Sequence, residues 1–102
     1  MSYNLVPVQT EVEWAVFHDI MRRDLFSLLP VVYDENHPDH RKPDRFSFVL
    51  KHAELYVGAA RLVVLGQSEM VLRLLAIAQF AQRRGHGRVL MGRLELYARS
   101  KG

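Results

Sequence analysis

Between Leu75 and Arg88 the chain passes from the apolar run Leu75-Ala76-Ile77-Ala78 into the stretch Gln82-Arg83-Arg84-Gly85-His86-Gly87-Arg88. It then enters a helical stripe of Leu90, Leu94, Tyr97 and Ala98. A strand that turns through glycines into a helix has the geometry of an anion site. The first N–H groups of a helix have no intrahelical acceptor and lie at the positive end of its dipole. Gly85 and Gly87 let a ligand approach the backbone without a Cβ in the way, and Arg83, Arg84 and Arg88 add charge to the same place. The excess of positive charge is concentrated here, with Arg83, Arg84, Arg88, Arg93, Arg99 and Lys101 set against a single acid, Glu95.

The rest of the chain reads as one domain, residues 1–102, large enough for one core. Tyr3 to Val8 is a short apolar strand. Thr10 and Glu13 form a Thr-x-x-Glu capping box that starts a helix near Glu11, and Trp14, Phe17, Met21, Leu25 and Leu28 recur on one helical face until Pro30. That spacing assigns Trp14 and Phe17 to the core. Tyr33 to Asp44, with Pro38 and Pro43, is a loop. Arg45 to Lys51 and Leu55 to Leu65 are strands, joined through a turn at Gly66-Gln67-Ser68 to a third over Met70 to Ala78. This last run is interrupted only by Arg73, which suits a central strand covered on both faces. Arg99 and Lys101 complement the end of the last helix, with Gly102 at the C-cap position. The order is β-α-β-β-β-α, an α/β (α+β) fold with a mixed sheet.

Two phosphate motifs are excluded by the residues. No Gly-x-x-x-x-Gly-Lys-Ser/Thr string occurs, and the dinucleotide fingerprint needs glycine where this chain has Leu90. Gln82, Gly85 and Gly87, in order after an apolar strand and before an amphipathic helix, resemble the signature of the GNAT superfamily of acyl-CoA-dependent N-acetyltransferases. The preceding elements resemble that family too, so the resemblance covers essentially the whole chain.

The resemblance implies that acetyl-CoA is the cosubstrate and that its pyrophosphate rests on the backbone of Arg83, Arg84, Gly85, His86, Gly87 and Arg88. The pantetheine arm would lie along the strand holding Leu75, Ala76 and Ile77. An amide of that strand would polarise the acyl carbonyl while a primary amine attacks the thioester. Glu69, at the start of the strand, is the candidate general base, and Tyr33, Asp34 and His37 resemble the acceptor side. Full members continue with a fifth strand and further elements, including a tyrosine that protonates the thiolate and has no counterpart here. The expectation is a fold truncated before the fifth strand. Its apolar edge would be covered by a homodimer partner or by the missing C-terminal half. The alternative reading is a non-catalytic CoA-binding or interaction module left by truncation.

Other classes fall away. Without cysteine there is no disulfide, thiolate metal site or cysteine nucleophile. His37-Pro38-Asp39-His40 with His52 lacks a framework that would gather a metal's ligands, so no metal is expected. The basic C-terminal segment carries no aromatic interleaving or nucleic-acid reader motif, so nucleic acid is set aside as a partner. No membrane-length apolar run or signal-like N-terminus is present, and a cytoplasmic location is the expectation.

Overall fold

The computed structural model describes residues 2–67 and 69–101. β1 (Tyr3–Pro7) leads through Thr10 into α1 (Glu11–Asp24). The capping box forms as its residue types require: the Thr10 hydroxyl accepts from the Glu13 N–H, and the Glu13 carboxylate accepts from the Thr10 N–H. β2 (Arg45–His52), β3 (Leu55–Leu65) and β4 (Glu69–Ile77) follow, then a 3-10 turn over Gln79–Ala81 and α2 (His86–Lys101). The β-α-β-β-β-α order is as expected from the sequence. The strands form one antiparallel sheet in the order β1-β2-β3-β4. Ser68 in the predicted turn and Gly102 at the predicted C-cap lie outside the described residues.

Strand alternation divides the core between two faces. Phe48, Leu50, Val57, Ala60 and Leu62 pack against Leu90 and Leu94 of α2. Val49, Ala59 and Ala76 face Trp14, Phe17, Ile20 and Met21 of α1, in agreement with the core reading of both aromatics.

Three expectations are corrected. α1 ends at Asp24, well before Pro30, and Leu28 lies in a separate 3-10 turn over Phe26–Leu28, 81% exposed. The Ser27 hydroxyl donates to the Arg23 carbonyl there, a side-chain bond that competes with helix continuation. The predicted loop 33–44 contains a 3-10 turn over Pro38–Arg41, whose first turn is capped by the His37 ring accepting from the Asp39 N–H. β4 is an edge strand of the described sheet, in line with the apolar edge expected from the family resemblance and not with the central place its composition suggested. The meander places it last, and only Ala76 on it is fully buried, while Arg73 is exposed.

Two features of β4 position the site. Arg61 pairs with Leu74 and Leu62 with Leu72, so Arg73 is the extra residue of a β-bulge at mid-strand. The Ala78 N–H donates to the Val57 carbonyl. By the alternation of an antiparallel ladder, the backbone of Ala76 is turned toward β3, and the N–H and C=O of Leu75 and Ile77 point to the free edge.

Candidate functional site

At the lower end of β4 the chain turns tightly into α2, and two residues there have left-handed backbones, Arg83 (φ 64°) and Gly85 (φ 84°). Gly85 is required by its conformation. Arg83 holds the same region despite its Cβ, a strained geometry of the kind concentrated at functional loops. The Gly85 carbonyl accepts from the Val89 N–H. The N–H groups of His86, Gly87 and Arg88 are thereby left in the first turn of α2 without helical acceptors. Gly87 is a different case from Gly85: a Cβ there would meet only Ile77 Cγ1, at 3.7 Å, so its smallness leaves space above the helix end rather than relieving a clash.

Ile77, Gln82, Arg83, Gly85, His86, Gly87 and Arg88 together line one open depression of about 670 Å³. Gln82 Nε2 donates to the Ile77 carbonyl at 3.1 Å, which ties the loop to the free edge of β4. Arg83, Arg84 and Arg88 are exposed and form no ion pair with any described residue, so their charge is not neutralised by the fold. The His86 ring is turned inward, its Nδ1 2.8 Å from the Tyr3 hydroxyl on β1. Arg84 lines a separate hollow with Tyr3, His52 and Phe80 on the α2 side.

The remaining expected residues are placed elsewhere. Leu75 lies up the strand, with its backbone on the free edge. Ala76 has its backbone taken up by the ladder and its side chain buried against α1. Glu69 is exposed at the opposite end of β4, eight strand steps or about 26 Å from Ile77. It borders a hollow with Phe46, Met70 and Lys101.

Tyr33, Asp34 and His37 gather with His40, Arg61 and Leu74 around a pocket on the α1 side, beside the middle of β4. Sequence reasoning missed Arg61 and His40. They are 21 residues apart, and the fold of the Pro38–Arg41 turn over β2 and β3 brings them together. Asp24 was also missed: its carboxylate accepts from the Gln79 N–H at 3.1 Å and anchors the segment between β4 and the loop to the end of α1. Among the described residues no three of His, Cys, Asp and Glu converge on a point that would hold a metal ion. No described helix is long and apolar enough to cross a membrane.

Burial sets the ionisation of the imidazoles. His18 sits under Trp14 with its Nδ1 2.7 Å from the Tyr33 hydroxyl. Loss of water holds it down to about 4, reinforced by repulsion from His40. Burial likewise lowers His40 and His86, and raises the Tyr33 phenol to about 12. Each imidazole recovers an ordinary value near 6.5 in the unfolded chain. The unfolded chain therefore binds protons that the native chain refuses as pH falls from about 7 toward about 4, and stability must fall through that window. Urea midpoints are expected to decline steadily from about pH 7 to about pH 5, before the depressed carboxylates of Glu13 and Asp39 come into play. A flat profile there would mean that these rings are not held neutral.

A family model described as the Acetyltransferase (GNAT) family matches residues 13–102. No curated protein matches the sequence significantly. Among solved structures, the ribosomal-protein-S18-alanine N-acetyltransferase from Escherichia coli superposes with a TM-score of 0.78 at 18% identity, over 99% of this chain and 62% of that one. A GNAT family acetyltransferase from Staphylococcus aureus gives a TM-score of 0.69 at 15% identity, over 98% of this chain and 80% of that one. This chain thus spans less than two thirds of the Escherichia coli enzyme, and at these identities the likeness is one of fold. The family match covers most of the sequence and includes the strand, loop and helix that build the depression: the chain belongs to the GNAT acetyltransferase family.

Proposed function

We propose that the chain binds acetyl-CoA and transfers its acetyl group to a primary amine. The observation that carries this reading is the junction at the end of β4. Three unpartnered helix N–H groups, two left-handed residues and unpaired arginines surround the depression that begins where the free edge of β4 ends. Successive amides in such a turn form a concavity for phosphate oxygens. In this reading the pyrophosphate lies on residues 83–88. The pantetheine arm extends along the free edge, exchanging hydrogen bonds with the outward backbone of Leu75, as an added strand would. The acyl group then lies near the bulge at Arg73, where the ladder is interrupted and a β4 amide can donate to the carbonyl oxygen. The amine nitrogen attacks the thioester carbon, the C–S bond breaks, and the amide forms. One proton leaves the amine for a base and the CoA thiolate takes up another, so no covalent enzyme intermediate is needed.

For the base we carry Glu69, acting through a chain of waters, since it stands four strand steps or about 13 Å from Arg73 and direct proton transfer is out of reach. Glu69→Gln is expected to lower turnover at neutral pH about tenfold or more while leaving acetyl-CoA affinity unchanged. Turnover matching the parent across pH would remove Glu69 and leave His37, at the pocket beside Leu74, as the nearest exposed imidazole.

The reading is tested by calorimetric titration of acetyl-CoA, followed by thiol release over a panel of primary amines. Failure to bind acetyl-CoA overturns it. Binding without turnover on any amine is the mark of the non-catalytic alternative.

A further inference from the structure

The α1-side pocket holds a buried cation that makes no ion pair with any described residue and feels the Asp39 carboxylate only at longer range. Arg61 is 6% exposed, yet it has no carboxylate within 4.0 Å among the described residues. Its Nε–H donates to the Ser47 hydroxyl at 3.0 Å and one Nη2–H to His40 Nδ1 at 2.8 Å. The acceptor role of His40 Nδ1 is fixed by its other nitrogen, since Nε2 lies 2.7 Å from the Asp34 carbonyl and must be the one that donates. The guanidinium rests on the Phe17 ring, 5.1 Å from its centre. Of its five N–H bonds the other three have no protein acceptor among the described residues.

The surrounding acids are already engaged. Glu35 pairs with Arg22, Asp39 with Lys42 at 2.7 Å, and the Asp34 carboxylate accepts from the Asn36 N–H. A buried charge is costly unless it is paired, so a fold that keeps one open toward a pocket is arranged for an outside anion.

We infer that the pocket bounded by Arg61, Tyr33, His37 and Leu74 binds a carboxylate, and that the acceptor amine is carried by a small molecule bearing that carboxylate, an amino acid in the broad sense. A carboxylate matches the planar guanidinium fork, and its single charge is balanced by one arginine. A phosphate dianion would leave charge uncompensated in a wall that, besides Arg61 and the His37 and His40 rings, carries the Asp34 carboxylate and the apolar Phe26, Val32 and Leu74. The pocket is about 200 Å³, below the range of drug-sized sites, which fits a short skeleton and not a nucleotide. Leu74 lies three steps, about 10 Å, up β4 from Ile77 and next to the bulge, so a ligand held by Arg61 presents its other end to the middle of the strand. The carboxylate site stands on the geometry alone. Its assignment to the acceptor rests on the acetyl-transfer reading above.

The test is a titration of the 15N-labelled chain, without acetyl-CoA, by glycine, β-alanine and 4-aminobutyrate, by their primary amides and by inorganic phosphate. The Arg61 Nε–H and His40 ring signals are followed. At least one acid should bind about tenfold or more tightly than its amide and shift both signals. Arg61→Lys, which loses the fork, should remove that preference. Should Arg61→Lys fail to fold, Val32→Glu serves: this rim residue is 91% exposed, and its new carboxylate should compete for Arg61 and weaken the acid several-fold. Equal binding of acids and amides in the parent overturns the inference, as does phosphate binding tighter than every acid, or an undiminished preference in the folded variants. A separate acetyl-CoA titration distinguishes the two ideas. If the acids bind and acetyl-CoA does not, the transfer reading falls and the pocket stands; the reverse result removes the pocket alone.

Discussion

Gly87→Asp is expected to lower acetyl-CoA affinity about 100-fold or more in a protein at least as stable as its parent. The two effects separate because Gly87 is the second residue of α2 with ordinary backbone angles, and a Cβ there touches only Ile77 Cγ1 at an unstrained 3.7 Å. Replacing a helical glycine by aspartate gains only about 0.3 kcal/mol in propensity, and a carboxylate in the first turn of a helix gains about 0.3–1 kcal/mol more. The same carboxylate turns back onto the free N–H groups of His86, Gly87 and Arg88 and occupies them, while its charge repels the pyrophosphate proposed to sit there. Two charge-assisted hydrogen bonds at about 1.5–3 kcal/mol each already correspond to about 100-fold or more in binding. Gly85→Asp is the contrast: at φ 84° it strains the backbone and should cost stability as well as affinity. Calorimetric titration beside urea unfolding of each variant reads both quantities. Parent-like affinity in a folded Gly87→Asp variant would show that residues 83–88 do not hold the phosphates.

That contrast between two glycines shows what the sequence exposes and what it conceals. Periodicity and capping chemistry are local, so Thr10 with Glu13, the strand runs and the loop at 82–88 were legible in place and nearly in extent. What failed was information carried by neighbours distant in the chain. The apolar composition of Met70 to Ala78 predicted a strand covered on both faces, but composition does not encode its place in a sheet, and β4 is an edge. Leu28 continued a helical stripe on paper beyond the point where the Ser27 hydroxyl takes the Arg23 carbonyl. The Ser47–Arg61–His40 network depends on strands β2 and β3 pairing Ser47 with Arg61 and on the Pro38–Arg41 turn folding over them. No pattern in the sequence joins those three residues. Glu69 was singled out by its position at the start of a strand, and the fold sets it at the end away from the anion loop.

Phe17→Ala should produce the largest loss of stability of any single truncation in the α1 layer, about 3–5 kcal/mol. Phe17 heads the fully buried side chains by volume, at 0% exposure. It packs edge-on against Trp14, with ring centres 5.7 Å apart, and it carries the Arg61 guanidinium on its face. The sheet beneath it contributes Ala59 and Ala76, whose methyl groups are fixed to strand backbone and cannot move in to fill the space. The cavity therefore stays open, which is the condition under which truncation costs most. For a domain of this size, with a total of about 5–15 kcal/mol, the loss removes about a fifth or more of the stability. The urea midpoint should fall sharply while the slope of the transition is preserved, since the folded and unfolded states still differ by nearly the same surface. Phe17→Leu separates packing from support of the cation. It restores most of the volume but offers no ring, so it should recover most of the packing energy while leaving the contact with Arg61, worth about 2 kcal/mol when desolvated, unrestored. If Phe17→Ala costs less than about 1 kcal/mol, the α1 layer is not packed on the sheet in the way described, and the positioning of Arg61 over it falls with that packing.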